Sequence, residues 1–440
     1  MISPRSALLW LVGFVLVPAA TGFFAIPSVA AGAAVIMLLF VFVVTADALF
    51  SHPNFSSLRI LLPDVVRLSK GREGQLDIRC VNEGAADARF MLGLPIGWEI
   101  GPVVNELELH LPAGSAARLF SISCEPKQRG RFMLQKYYLR ASSRLRLWDI
   151  RRVFPAQTEI RVYPDLLAER KQITALFLRR GMFGFRQHRQ VGKGREFEKL
   201  REYIAGDGVE DIHWKATAKR GRPVTKVFQI ERTQEVYVIV DSSRLTARSS
   251  GGNPMLERFI NSALILCLAA ARQGDLFGLV TFRDKVEKFI RAKNGKGHYD
   301  VCRDALYTLQ PQIVTPDFED LFTMLRLRLR RRALLVFFTA LDDPALADAF
   351  LKHVDLLTRQ HLVLVNMIQP SEAHPLFATD DVSEIDDIYL RLGGHLHWAE
   401  LQELQKRMQR SRVEFALLKA DQLAAEAVNG YIRVKQRQLL

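Results

Sequence analysis

Residues 192–243 decide how this chain is organised, and they read GKGREFEKLREYIAGDGVEDIHWKATAKRGRPVTKVFQIERTQEVYVIVDSS. The first part is rich in glycine, charge and aromatic side chains and is too polar to form a core. The last part is an apolar run, Val236–Val240, that ends at Asp241 and Ser243. A short apolar run that ends in polar residues is typical of a buried strand of an α/β sheet. We therefore begin a new domain at Glu235.

The chain after Glu235 alternates apolar strands with helical patterns. Continuous apolar strands separated by helices are typical of a mostly parallel sheet covered on both faces. We predict a Rossmann-like α/β domain over residues 235–440. Its expected strands are Val236–Val240, Leu276–Phe282, Ala333–Phe338, His361–Met367 and Val413–Leu418.

The N-terminal 50 residues have the composition of a membrane anchor. No charged residue lies between Arg5 and Asp47, a length about twice the ~20 residues that one spanning helix needs. Pro18 and the stretch from Thr21 to Pro27 interrupt this run near its middle. We predict a two-helix transmembrane hairpin over residues 1–50, with a cleaved signal peptide as the alternative. Two spans leave both ends on one side, and the positive-inside tendency places the basic remainder in the cytoplasm.

Between the anchor and the α/β domain, the sequence predicts two further segments. Residues 55–163 contain short alternating runs such as Gln75–Val81 and Glu106–Leu111, separated by turn residues. This spacing predicts a small β-sandwich. Residues 164–234 form a separate segment, in which Phe197–Tyr203 is predicted to be a short helix or turn. The four cysteines show no metal-ligand spacing and fit a reducing compartment.

The polar tract within residues 194–226 allows two interpretations. In the first, Trp214 fills a hydrophobic site while Asp207, Asp211 and Arg195 form ion pairs that hold an irregular loop. In the second, basic side chains present donors to an anionic group of a partner. The predicted partner-binding residues are Arg195, Glu196, Asp207, Asp211, His213, Trp214, Lys215, Lys219, Arg220 and Arg222.

The tract Gly194–Lys226, followed by Val240-Asp241-Ser242-Ser243, resembles the bacterial family catalogued as domain of unknown function 58. This resemblance covers the hairpin, the sandwich, the tract and the α/β domain. It implies a membrane-anchored protein with a von Willebrand factor A-like domain that works with a MoxR-type AAA+ ATPase. The expected location is therefore the bacterial inner membrane, with the bulk of the chain in the cytoplasm.

The resemblance also implies a metal site at the strand ends. Von Willebrand A domains hold a divalent ion such as Mg²⁺ through an Asp-x-Ser-x-Ser motif, a Thr and a further Asp, all oxygen ligands. Here Asp241 and Ser243 match, but Leu245 takes the last serine position and Ala340 lies where an Asp is expected. The candidate ligands are Asp241, Ser243, Thr315, Asp342 and Asp343. The sequence therefore predicts a degenerate site.

Composition and motifs limit the function classes. Hydrophobic content of 49% with 25% charged residues excludes a disordered or collagen-like chain, and the net charge of +14 suggests an anionic neighbour. No GxSxG, HExxH or CxxC motif is present. We expect an interaction protein without enzymatic activity and without nucleic acid as a partner. The alternatives are a metal-dependent hydrolase centred on Asp241 and a binder of an anionic surface or nucleic acid.

Overall fold

The computed structural model divides into two compact units, Met1–Asp165 and Leu166–Leu440. It describes residues 2–25, 30–51, 55–102, 106–114, 117–167, 191–204, 208–229, 234–250, 253–377 and 385–437.

The first unit begins with apolar helices. Two of its helical stretches, Ser6–Phe24 and Ala30–Ser57, are long and apolar enough to cross a membrane. The first is widened by a π-helical segment that ends two residues before Pro18. Proline lacks an N–H and its ring clashes with the carbonyl of the preceding turn, which favours this local widening. The helical elements are α1 (Ser6–Leu11), the π segment (Val12–Leu16), α2 (Val17–Ala25) and α3 (Ala30–Phe50).

Two sheets share one apolar core in the rest of this unit. One sheet has the order β1-β9-β8-β5-β6 with β3 also paired to β9, and the other has the order β2-β4-β7. Buried and exposed residues alternate along β4, as expected for a strand with one face in the core. The strands are β1 (Ile2–Pro4), β2 (Leu58–Leu61), β3 (Val65–Ser69), β4 (Gly74–Asn82), β5 (Ala88–Gly93), β6 (Glu106–Leu111), β7 (Arg118–Cys124), β8 (Gly130–Ser142) and β9 (Trp148–Tyr163).

The second unit opens with a two-stranded antiparallel pair and a short helix. The strands are β10 (Val191–Glu202) and β11 (Val224–Gln229), and the helix between them is α4 (Trp214–Arg220). The predicted helix or turn at Phe197–Tyr203 is therefore wrong over most of its length. Pairing with β11 determines the conformation of this charged segment, because tertiary partners override weak local propensity.

A six-stranded sheet in the order β16-β15-β12-β17-β18-β19 forms the body of the second unit. Five strands are parallel, and β16 pairs antiparallel with β15 at the edge. The sheet is thus mixed, because β15 and β16 are joined as a hairpin that the sequence analysis missed. The remaining strands are β12 (Glu235–Asp241), β13 (Ser249–Ser250), β14 (Asn253–Pro254), β15 (Leu276–Phe282), β16 (Val286–Lys293), β17 (Ala333–Phe338), β18 (Leu362–Ile368) and β19 (Val413–Leu418).

Helices cover both faces of this sheet and close a single large core. Helices α5 and α10 pack against one another, as do α7 and α8. The crossover that follows β12 runs in one direction along the sheet, and the crossover that follows β17 runs in the other. Because such crossovers are right-handed, their helices lie on opposite faces of the sheet. The helices are α5 (Met255–Arg272), α6 (Lys296–Leu306), α7 (Phe318–Arg328), α8 (Pro344–Thr358), α9 (Ile385–Arg410) and α10 (Leu423–Gln436).

Candidate functional site

The strand order creates a topological switch point between β12 and β17. The chain leaves β12 to form β15 on one side and later returns to form β17 on the other. Crevices at such points, beyond the carboxyl ends of the strands, are where doubly wound sheets bind ligands. Asp241 is the last residue of β12, and Thr339 directly follows β17. The structure therefore brings these two side chains together at the expected edge.

Asp241 is fully buried, and both carboxylate oxygens have partners. Its Oδ1 accepts a hydrogen bond from the Ser243 backbone N–H at 2.8 Å, and its Oδ2 accepts one from Thr339 Oγ1 at 2.7 Å. Burial raises the pKa of Asp241 above its usual value, although the hydrogen bonds from Ser243 and Thr339 lower it. The carboxylate thus organises the turn after β12.

The hydroxyl groups around Asp241 are buried as well. Ser242 Oγ donates to the Phe282 carbonyl at 3.0 Å, and Thr246 Oγ1 donates to the Ser243 carbonyl at 2.9 Å. Ser243 Oγ is buried without a hydrogen-bond partner among the described residues. Leu245 is buried at the position where the metal-binding pattern has a second serine. An unbonded hydroxyl therefore lies next to one carboxylate.

The other predicted metal ligands have different surroundings. Asp342 forms a two-pronged ion pair with the Arg248 guanidinium, with one contact at 3.0 Å. Asp343 caps α8 by accepting from the Ala345 N–H at 2.9 Å. Thr315 is exposed, one residue after Val314, whose carbonyl accepts from the Arg244 N–H at 3.1 Å. The two downstream carboxylates thus already have partners.

These residues do not fit a resident divalent cation. Such ions take several oxygen ligands with enough negative charge to offset dehydration. The described residues contain no group of three acidic, histidine or cysteine side chains able to hold a metal, and Asp342 and Asp343 are already bonded elsewhere. Asp241 then has the hydroxyl groups of Thr339 and Ser243 beside it. The side chains around Asp241 therefore supply less negative charge than such an ion prefers.

We expect Asp241→Asn to remove a pH-dependent loss of stability. The raised pKa means that folded Asp241 binds its proton more tightly than unfolded Asp241 does. The contribution of Asp241 to the free energy of unfolding is therefore largest below the pKa that this residue has in the unfolded chain. It declines as pH rises towards the pKa in the folded chain and stays low above that value. Asparagine has no such ionisation. Urea unfolding from about pH 4 to about pH 8 should show a variant that is flatter with pH and more stable at neutral pH.

Added Mg²⁺ provides the control for this experiment, because a cation that binds only the folded state stabilises it. We expect no stabilisation of the wild type by Mg²⁺. A variant less stable than the wild type at neutral pH, together with stabilisation of the wild type by Mg²⁺, would contradict the metal-free account.

The polar tract of residues 194–226 contains a short helix at the surface, α4. His213 Nδ1 accepts from the Ala216 N–H at 3.0 Å and caps the start of α4. Trp214 is 66% exposed, so it does not fill a hydrophobic site, and that part of the first interpretation is wrong. Arg222 pairs with Glu202 at 2.9 Å. Lys215, Lys219 and Arg220 are exposed, and Asp211 is half-buried. The side chains of Arg195 and Glu196 are not described, and Asp207 lies outside the described residues.

Helix α9 carries an exposed apolar surface that the sequence analysis missed. No residue between 385 and 393 is buried in this described stretch, so the first turns of the helix project from the domain. Six large apolar side chains on this half are each 46 to 73% exposed, and all of them except Leu390 form one group. Their spacing of i, i+3, i+4, i+7 and i+11 puts them on one face of the helix. This apolar stripe consists of Ile385, Ile388, Tyr389, Leu392 and Leu396.

A second apolar face holds the same helix against the domain. Gly394, Leu401, Leu404 and Met408 are buried in the domain, unlike the stripe. At Gly394 a Cβ atom would lie 2.2 Å from the Glu372 carbonyl oxygen, so only glycine allows this close approach. The sequence of α9 has apolar residues on more than one side of the helix. This pattern could have predicted a second apolar face.

A cavity of about 270 Å³ lies beside this contact. Arg248, Asp342 and Glu372 line it together with apolar side chains that include Met255 and Met367. Hydrogen bonds from its own backbone N–H and from Ser371, with the positive charge of Arg248 nearby, hold the pKa of Glu372 below its usual value. The carboxyl-end side of the domain thus combines a polar cavity with a projecting apolar helix.

The order of the strands, the helices on both faces and the Asp-Ser-Ser turn at the switch point define an α/β domain of the von Willebrand factor A-like type. Residues 199–379 match the model of the family described as Protein of unknown function DUF58. The resemblance identified from the tract and the strand end is thus confirmed for this segment. No curated protein matches the chain at a significant level.

Several solved structures are similar to part of the chain. An aerotolerance-related membrane protein from Bacteroides fragilis is 17% identical, with 46% of this chain and 98% of that chain covered at a TM-score of 0.30. The conserved hypothetical protein BatB from Bacteroides thetaiotaomicron is 12% identical, with 46% and 99% covered at a TM-score of 0.29. The SpRpn10 VWA domain is 12% identical, with 45% and 95% covered at a TM-score of 0.30. At these scores the fold assignment rests on the strand order.

Proposed function

We propose that this chain is a membrane-anchored docking protein whose α/β domain binds a partner protein through the apolar stripe of α9. The observation that carries this proposal is the exposure of five large apolar side chains on one face of a projecting helix. Contiguous exposed apolar surface of this kind marks interaction sites on soluble domains. The buried residues of the same helix keep it in place while the stripe stays available.

The spacing of the stripe suits insertion into a groove. Anchors at i, i+3, i+4 and i+7 are the pattern with which an amphipathic helix binds a hydrophobic groove. Asp386 and Asp387 lie in the first turn of the same helix, next to the stripe. Two carboxylates there disfavour an anionic bilayer and favour a groove with a basic rim. The occupant is therefore a protein rather than the membrane surface.

A MoxR-type AAA+ ATPase is the partner that we propose, on the basis of the sequence resemblance. The same resemblance and the basic composition support a location at the bacterial inner membrane with the α/β domain in the cytoplasm. Helix α4, with its exposed Trp214, Lys215 and Lys219, offers a second contact that combines an aromatic anchor with positive charge. Its charge would steer an acidic region of the partner towards the domain.

The direct test uses the full chain in lipid nanodiscs and the purified MoxR-type ATPase of the same bacterium. We expect saturable binding that persists at high salt, because the apolar stripe supplies most of the free energy of binding. We also expect no nucleotide or ester hydrolysis by the chain alone. Absence of binding in the presence of each nucleotide state of the ATPase would contradict the proposed partner.

A further inference from the structure

The turn between β8 and β9 is joined to both membrane-spanning helices. The Asp47 carboxylate, close to the end of α3, accepts hydrogen bonds from Ser143 Oγ at 2.6 Å and from the Leu145 N–H at 3.2 Å. Trp148 Nε1 donates to the Val44 carbonyl at 3.0 Å. At the start of the other span, the Arg5 N–H donates to the Leu147 carbonyl at 3.0 Å. This turn, Ser143–Leu147, is thus fixed where both spans end.

The position of the turn relative to a bilayer follows from these bonds. Arg5 and Asp47 are the charged residues that bound the apolar run, so they lie at the level where hydrocarbon gives way to headgroups. Trp148, hydrogen-bonded to α3 at this level, is of the residue type enriched in that layer. A turn that is hydrogen-bonded to these residues lies at the same depth.

The side chains of the turn match an anionic headgroup layer. Arg144, Leu145 and Arg146 are exposed, which places an apolar side chain between two guanidinium groups. Arg151 and Arg152 follow on β9 and are exposed as well. Arginine binds phosphate groups through two parallel hydrogen bonds, and an exposed leucine can enter the acyl boundary. Basic residues on this side also agree with a cytoplasmic location.

The backbone of the turn allows one of these side chains to be removed without strain. Arg146 has φ of 59°, the left-handed region in which glycine is strongly favoured. Arg412 has the same φ, so this conformation by itself assigns no role to either side chain. Replacement of Arg146 by glycine therefore removes the charge and suits the backbone.

We infer that the β8–β9 turn is a lipid-binding turn, in which Arg144 and Arg146 bind the phosphates of anionic phospholipids beside the spans. This inference rests on the membrane anchoring of the proposed function, but it does not depend on the partner of the α/β domain. The lipid-binding turn would hold the two-sheet domain against the bilayer surface.

The test compares the association of spin-labelled phosphatidylglycerol and phosphatidylcholine with the full chain in mixed vesicles. Basic residues near a bilayer surface attract anionic lipid by a factor of about five each. We expect at least that preference for phosphatidylglycerol in the wild type and a preference at least five-fold weaker in an Arg144→Ser, Arg146→Gly double variant, in which Arg151 and Arg152 remain. Lys127→Ser is the control, because β8 separates its site from the turn by roughly 40 Å.

Thermal unfolding distinguishes loss of lipid binding from loss of structure. Arg146→Gly should leave Tm unchanged or higher, because glycine relieves the left-handed strain. Equal selectivity of the double variant and the wild type would overturn the inference. So would a loss of selectivity in Lys127→Ser that matches the loss in the double variant. Neither outcome bears on binding of the ATPase.

Discussion

Replacing Ile388 and Leu392 with aspartate is expected to lower the affinity for the partner by about 100-fold or more. Fully burying one large apolar side chain contributes about 1.5–3 kcal/mol, so burying the exposed half of two contributes about 1.5–3 kcal/mol. The cost of desolvating two carboxylates in the interface raises the loss above the ~2.7 kcal/mol that this factor represents. Both side chains are about half exposed in the free domain, so their replacement should leave the free energy of unfolding nearly unchanged. Titration of the nanodisc-embedded chain with the ATPase, alongside urea unfolding, measures both quantities.

Leu356→Asp is the matched control for this double variant. Leu356 is 46% exposed, as is Leu392, but it lies on α8 and outside the stripe. We expect Leu356→Asp to bind the ATPase like the wild type. Equal affinity of the stripe variant and the control would show that the projecting helix is not the docking surface.

Asp275→Ala is expected to destabilise the α/β domain by about 3–5 kcal/mol, the cost of leaving partners of a buried charge uncompensated. Asp275 is buried and accepts hydrogen bonds from the Tyr431 hydroxyl, from Lys435 Nζ at 2.7 Å and from the Gln234 N–H at 3.1 Å. It thereby joins the start of the domain to its last helix. Burial and the adjacent carboxylate raise the pKa of Tyr431, which therefore keeps its proton as the donor.

The control for Asp275 is an exposed ion pair of the same domain. Asp348 contacts Arg407 at 2.5 Å, and both side chains are more than 40% exposed. Surface pairs of this kind contribute about 0–1 kcal/mol, so Asp348→Ala should change the urea midpoint little. If Asp275→Ala were no more destabilising than Asp348→Ala, the role of Asp275 in closing the domain would be wrong.

The strands of the α/β sheet could be predicted because a short, continuous run of apolar residues is typical of a buried strand. Leu276–Phe282, Ala333–Phe338 and Val413–Leu418 have the predicted bounds, and β12 differs by one residue at each end. Strand β16 was missed because Val286–Lys293 lies at the edge of the sheet and is only partly buried, which leaves charged residues in it. The projecting start of α9 was missed because its apolar residues lie on more than one side of the helix, so the exposed face is not distinct from the buried one in the sequence.

The candidate site was predictable only in part. The strand-end position of Asp241 follows from the sequence, and the structure places it at the switch point as expected. The ion pair between Asp342 and Arg248 joins residues 94 positions apart, and no local pattern predicts such a pair. Likewise, the hydrogen bond from Ser143 to Asp47 spans 96 positions. Long-range polar interactions of this kind depend on the completed fold.

The most direct test of the docking role is site-specific photo-crosslinking in intact membranes. A photoreactive phenylalanine analogue at Tyr389 replaces one exposed aromatic side chain of the stripe with another, and the same analogue at Leu356 serves as the control. We expect the Tyr389 position to form a covalent product with the MoxR-type ATPase, identified by mass spectrometry, and the Leu356 position to form none. Equal crosslinking at both positions, or no product at Tyr389, would contradict the central claim that α9 binds the partner.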